Sequence, residues 1–193
     1  HEFVKNQLIN REIGDIRGFR ASFAFPNLDK ANFRYNEAIG GGALLDCAGY
    51  TVKAVHFILG GDFFVKASEL FVDKEVETNI YGGALMVNGK GVIAQIVFGM
   101  DHFYQGNYEI WGNLGKIFVE RAFTPKPTYA PRVIIDKQNK HFEYTLHPDN
   151  HFIGSLSEYH NPIVNLTCEN HYCSILLQSK TLDDIRKFAL LKF

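Results

Sequence analysis

The chain has 193 residues, 46% hydrophobic, 14% aromatic and 21% charged, which is enough apolar surface to bury one sizeable core and too much for a disordered segment. Its 20 Lys and Arg nearly balance 21 Asp and Glu, so no overall positive field exists to hold a phosphate backbone, and no nucleic-acid partner is expected. Three cysteines are too few for a disulfide framework, and no run approaches a membrane span or opens the chain as a signal peptide, so a reducing, cytoplasmic setting without a membrane partner is expected.

Residues His1 to Glu12 carry Phe3, Val4, Leu8 and Ile9 at helical spacing and stop before Gly14, so the chain opens inside or at the edge of an element and reads as a piece of a longer one. Asp15 to Phe25 alternates like a half-buried strand that Pro26 ends. Asn27 to Gly42 is polar and aperiodic, a long loop of the kind that is commonly functional, and it carries Phe33, Arg34 and Tyr35. Ala43 to Leu59 has Leu44, Leu45, Ala48, Val52 and Val55 in helical register, predicting one helix that closes at Gly60 and Gly61.

From Phe63 to Leu146 the period changes to that of successive strands, with a tight hairpin at Asn88 to Gly91 and a second at Asn113 to Gly115. Thr124 to Pro131 is too rich in proline to pair centrally and is expected as an extended crossing or an edge. Helical patterns return over Asp149 to Tyr159 and Tyr172 to Leu191. The order predicts an α+β fold, a largely antiparallel open-faced sheet with helices packed on one face. The uncovered face is then an association surface, and a homo-oligomer, most simply a dimer, is expected.

Three glycines, Gly40, Gly41 and Gly42, run straight into the helix, where close backbone approach and unpaired N–H groups favour an oxygen-bearing ligand. Asp46 and Tyr50 stand at i and i+4, on one helix face near that end. A phenol there can give a proton to a carbonyl oxygen while the carboxylate orients the substrate. The same spacing also describes a capped helix with a buried tyrosine hydrogen-bonded to backbone or solvent, and spacing alone favours that reading. His141, His147 and His151, with Cys168 and Cys173, lack the close cysteine pairs of a structural zinc site, so no metal is expected. Asn165-Leu166-Thr167 matches a glycosylation sequon by pattern alone.

The string GGGALLDCAGYTVKAVHFILGG resembles the helix after the first strand of the C-terminal domain in the glucose-fructose oxidoreductase, inositol dehydrogenase and MocA family of NAD(P)-dependent oxidoreductases. REIGDIRGFRASFAF, IWGNLGKIFVERAF and LLQSKTLDDIRKFA resemble, in the same order, that domain's opening strand, later hairpin and closing helix. NFRY before GGALLD, FGMDHFYQGNYEIWG and RAFTP are similar to the branch of sugar-nucleotide ketoreductases that make deoxysugars.

The resemblance implies a substrate-binding and oligomerisation domain over residues 1–193, acting on a sugar or nucleotide sugar with NAD or NADP. It places Asp46 on the family's substrate-binding acid and Tyr50 where many members have a catalytic His and the ketoreductases a proton-donating Tyr. A phenol with an ordinary pKa near 10 is a poor base but a serviceable acid, which favours reduction. Arg34 is then a candidate for a pyrophosphate, Tyr35 or Phe33 for stacking, and Tyr104 and Gln105 for sugar contacts at a strand end facing the same cleft. Gly41 and Gly42 are candidates against the cofactor. The chain departs from the family in lacking a strand followed by G-x-G-x-x-G and a Glu-Lys-Pro motif; its nearest string, Pro125-Lys126-Pro127, lies in the proline-rich crossing. The dinucleotide-binding domain is therefore expected outside this chain, which by itself is expected to be inactive. The alternative is a non-catalytic ligand-binding or assembly module built on the same fold.

Overall fold

The alternation over residues 15–25 forms β1, Ile16–Ala24, a central strand of an eight-stranded sheet in the computed structural model. The structure describes residues 1–165 and 169–190, so Leu166 and Thr167 of the sequon, Cys168 and Leu191 lie outside the described residues. The remaining strands are β2 (Phe63–Val72), β3 (Asn79–Asn88), β4 (Ile93–Gly99), β5 (Gln105–Gly112), β6 (Gly115–Val119), β7 (Arg132–Lys137) and β8 (Lys140–Thr145). Their order is β2-β3-β4-β1-β5-β6-β7-β8, so β1 is inserted between β4 and β5. It pairs parallel with β4 and antiparallel with β5, and the other neighbours are antiparallel. The expected α+β architecture with a largely antiparallel sheet is thus present.

Period two sends Phe19, Ala21 and Phe23 of β1, Ala94, Ile96 and Phe98 of β4, and Tyr108 and Ile110 of β5 to one face, all of them buried. Phe19 and Tyr108 stack there with ring centroids 5.5 Å apart. That face is covered by α1 (Glu2–Ile9), α3 (Ala48–Leu59), whose Val52 and Val55 are wholly buried, and α5 (Glu169–Leu190). The last is pinned where the Ser68 hydroxyl of β2 donates to the Ile185 carbonyl at 2.6 Å. By contrast, Phe152, Leu156 and Tyr159 of α4 (His151–Asn165) are exposed. The opposite sheet face is open, with Phe64, Ile93, Val97 and Trp111 exposed.

The single helix expected over residues 43–59 is two pieces, α2 (Ala43–Asp46) and α3, with a 48° bend between the stretch Glu37–Asp46 and α3. Two tertiary anchors turn the chain there. The Leu44 amide donates to Asn79 Oδ1 at 2.8 Å, on β3, while the buried Cys47 thiol points to the Gly99 carbonyl at 3.6 Å, at the end of β4. Among the described residues no single helix is long and apolar enough to cross a membrane.

Candidate functional site

Asp46 ends α2 and Tyr50 lies in the first turn of α3, so the bend sits between the two residues that spacing brought together. The loop before them is built as two 3-10 turns, Phe33–Tyr35 and Glu37–Ile39, each capped by an asparagine side chain, Asn32 and Asn36. The first turn presents Arg34, whose Nε donates to Asp46 Oδ2 at 2.9 Å with both side chains partly exposed. Its guanidinium also lies 4.6 Å from the centre of the Phe33 ring. Arg34 therefore arrives at the site already held by a carboxylate, and Asp46 is oriented by it.

The Tyr50 ring packs on Phe23, with centroids 4.7 Å apart, and near Phe123, at 6.2 Å. Its hydroxyl has no hydrogen-bond partner among the described residues, and the residue is 43% exposed. Partial burial and then the nearby Asp46 carboxylate raise the phenol above its ordinary pKa. At neutral pH it is a protonated hydroxyl, free to donate and unsuited to accept a proton. Burial, followed by the Asp46 charge, likewise pushes the Cys47 thiol up to about 12. It is a neutral packing group and not a nucleophile.

Tyr50 forms part of the wall of a cavity of about 370 Å³, with His1, Arg121, Phe123, Tyr129 and His147 among its other wall residues. Tyr104 stands at its margin: its hydroxyl donates to the Phe123 carbonyl at 3.4 Å and the Arg121 guanidinium lies 4.4 Å from its ring centre. Gln105 is elsewhere. Because Gly106 and Tyr108 face the helices, Gln105 shares the open sheet face with Asn107, whose Nδ2 donates to its Oε1 at 3.0 Å. This corrects the expectation that both strand-end residues face one cleft.

Tyr35 is also corrected. It is buried, and its hydroxyl accepts the Leu28 amide at 3.1 Å, so it holds the loop together and offers no ring for stacking. Gly41 and Gly42 serve the chain itself. Their amides donate to the Asn36 and Arg34 carbonyls at 2.9 and 2.8 Å, and the Leu44 amide is taken by Asn79. With those donors engaged, this glycine turn does not fit a dinucleotide phosphate. Asn79, lone and at the head of a strand, carries no local signal that foretells this role. Among the described residues no group of three or more His, Cys, Asp or Glu side chains converges as a metal site.

Residues 1–118 match the model of the GFO/IDH/MocA C-terminal domain. A dTDP-3,4-didehydro-2,6-dideoxy-alpha-D-glucose 3-reductase from Actinomadura kijaniata is 34% identical over 165 residues, 86% of this chain and 50% of that protein. An enzyme of the same name from Streptomyces antibioticus is 33% identical over 82% of this chain and 48% of its own length. The chain thus spans about half the length of the curated relatives it matches. Among solved structures, a 3-ketoreductase from Actinomadura kijaniata in complex with NADP and TDP-benzene superposes with a TM-score of 0.93 at 32% identity, covering 97% of this chain and 58% of that one. An aldose-aldose oxidoreductase from Caulobacter crescentus shares the fold, with a TM-score of 0.82 at 16% identity over 96% of this chain and 57% of that one. With the family match over more than half its residues and the same fold in these oxidoreductases, the chain belongs to the GFO/IDH/MocA family, as its C-terminal domain.

Proposed function

We propose that this chain is the substrate half of a cytoplasmic NAD(P)-dependent ketoreductase that reduces a keto group of a sugar nucleotide. The observation that carries the reading is Tyr50, a neutral hydroxyl without a partner among the described residues on a cavity wall, next to a carboxylate that an arginine orients. The relatives named as 3-reductases of a dTDP-sugar support the substrate class, and the 3-ketoreductase complex with NADP supports the coenzyme.

In this reading Tyr50 gives its proton to the carbonyl oxygen as that oxygen becomes an alkoxide, and Asp46 accepts a sugar hydroxyl that sets the carbonyl toward Tyr50. Arg34 keeps Asp46 in place. The glycine turn, its amides engaged within the chain, does not fit a dinucleotide phosphate, and in this reading the hydride donor, NADH or NADPH, is held by a separate dinucleotide-binding half. The test is a fluorescence titration of the chain with a dTDP-hexose, NADPH and NADH. Binding of the sugar nucleotide and of neither coenzyme is expected. Tight coenzyme binding by this chain alone would contradict the assignment of the halves.

The same reading makes the open sheet face the homo-oligomer contact, because Phe64, Ile93, Val97 and Trp111 leave an apolar surface across it. Val97→Glu, near the middle of that face, is expected to convert an oligomer into a monomer in sedimentation velocity. A wild-type chain that sediments as a monomer at tens of micromolar, or a variant that stays assembled, argues for another contact.

A further inference from the structure

Arg121 follows β6 in left-handed backbone, with φ of 51°, and Thr124 three residues on has φ of 47°. Such conformations in residues other than glycine are strained and persist where the surroundings impose them. The segment they shape forms one side of the cavity beside Tyr50. Arg121 is exposed and makes no ion pair among the described residues, and its guanidinium rests on the Tyr104 ring at 4.4 Å. Tyr104 is tied in turn to the Phe123 carbonyl, so the arginine has a fixed platform.

Beyond Arg121 the wall is mostly apolar, with Val4, Val119, Phe123 and Leu146 on it, and it carries three histidines. His1 and His147 line it with Arg121, and His151, also on the wall, has a buried Nδ1 without a partner among the described residues. One carboxylate, Asp149, shares the wall without pairing to Arg121. At about 370 Å³ the cavity has the size of a small-ligand site. Arg34, the other arginine near Tyr50, is occupied by Asp46.

We infer that Arg121 binds the diphosphate of the nucleotide-sugar substrate, seated on Tyr104, in the cavity that Tyr50 borders. This rests on the proposed ketoreductase reading, because a nucleotide sugar carries the diphosphate. The planar guanidinium fork matches two phosphate oxygens at once, and the ring beneath it limits the orientations it must give up on binding. Arg34 becomes a positioning residue for Asp46, and the two arginines divide the substrate between its anionic and its reacting ends.

The experiment is isothermal titration of the chain with dTDP, with thymidine as the uncharged comparison. Arg121→Asn is the variant of choice, because asparagine tolerates the left-handed backbone and the effect then reads the lost charge; Arg121→Lys keeps the charge without the fork. The dTDP dissociation constant is expected to rise about 10- to 100-fold in Arg121→Asn and less in Arg121→Lys, with thymidine binding unchanged. Equal dTDP affinity in Arg121→Asn and wild type overturns the assignment of Arg121 and leaves the ketoreductase reading standing. A wild-type chain that binds neither dTDP nor thymidine overturns both.

Discussion

Tyr50→Phe is expected to lower kcat about 10²- to 10⁴-fold, with little change in KM for the keto-sugar nucleotide, when the chain acts together with its dinucleotide-binding half. The substitution removes one oxygen and keeps the ring that packs on Phe23 and Phe123, so the wall of the cavity is preserved. What is lost is the proton delivered as charge develops on the carbonyl oxygen. A group that acts only then changes kcat and spares ground-state binding. The raised pKa of Tyr50 adds a second readout. In the proposed reaction the protonated phenol is the active form, so the rate is expected to hold across neutral pH and to fall only in alkali, above the ordinary tyrosine range, with no loss near pH 7. Wild-type turnover by Tyr50→Phe would remove Tyr50 from the mechanism; a rise in KM at constant kcat would make it a binding group instead.

The second large effect concerns the glycine turn. A Cβ on Gly41 would stand 2.6 Å from both the Arg34 and the Asn36 carbonyl oxygens, and both contacts are backbone. Neither side chain rotation nor a small shift of a flexible end relieves such a contact. The carbonyl of Arg34 also accepts the Gly42 amide and that of Asn36 the Gly41 amide, so moving them breaks the bonds that close the loop. Gly41→Ala is expected to cost about 1–3 kcal/mol, in the range of overpacking a close-packed site. For a domain of this size that lowers Tm by roughly 2–4 °C per kcal/mol, read by circular dichroism. Because Arg34 is displaced with its carbonyl, its grip on Asp46 weakens as well, and substrate affinity is expected to fall with stability. A variant that melts with the wild type would mean that the loop is not closed through Gly41.

The two effects arise from neighbouring parts of the chain for different reasons. Tyr50 matters through an atom with no partner among the described residues, whereas Gly41 matters because it leaves no room for one more. The three glycines look alike in the sequence, as a permissive lead into a helix. In the structure Gly40 ends a 3-10 turn in left-handed backbone, Gly41 lets two carbonyls approach, and Gly42 sits against the Asn79 side chain. Only the Gly42 contact depends on a distant part of the chain; those of Gly41 lie within the loop itself.

Local periodicity accounts for much of what is seen. Alternation marks β1 and the strands that follow it, Asn88 to Gly91 marks their hairpin, and helical spacing marks α1 and α3. These depend on steps of two and about four residues, which the backbone itself sets. Three further features come from packing between distant segments. The insertion of β1 between β4 and β5 is one, because strand order is chosen by which apolar faces meet and leaves no mark on any single strand. The break at Cys47 is another, since a continuous helical pattern yields where the Leu44 amide and the Cys47 thiol are each tied to a different strand. The third is the division of the candidate residues: burial withdraws Tyr35, strand parity turns Gln105 to the open face, Asp46 captures Arg34, and Arg121 is carried to the cavity beside Tyr50. Residue spacing thus selects the chemistry available along each element, while long-range burial and pairing decide which of those groups meet.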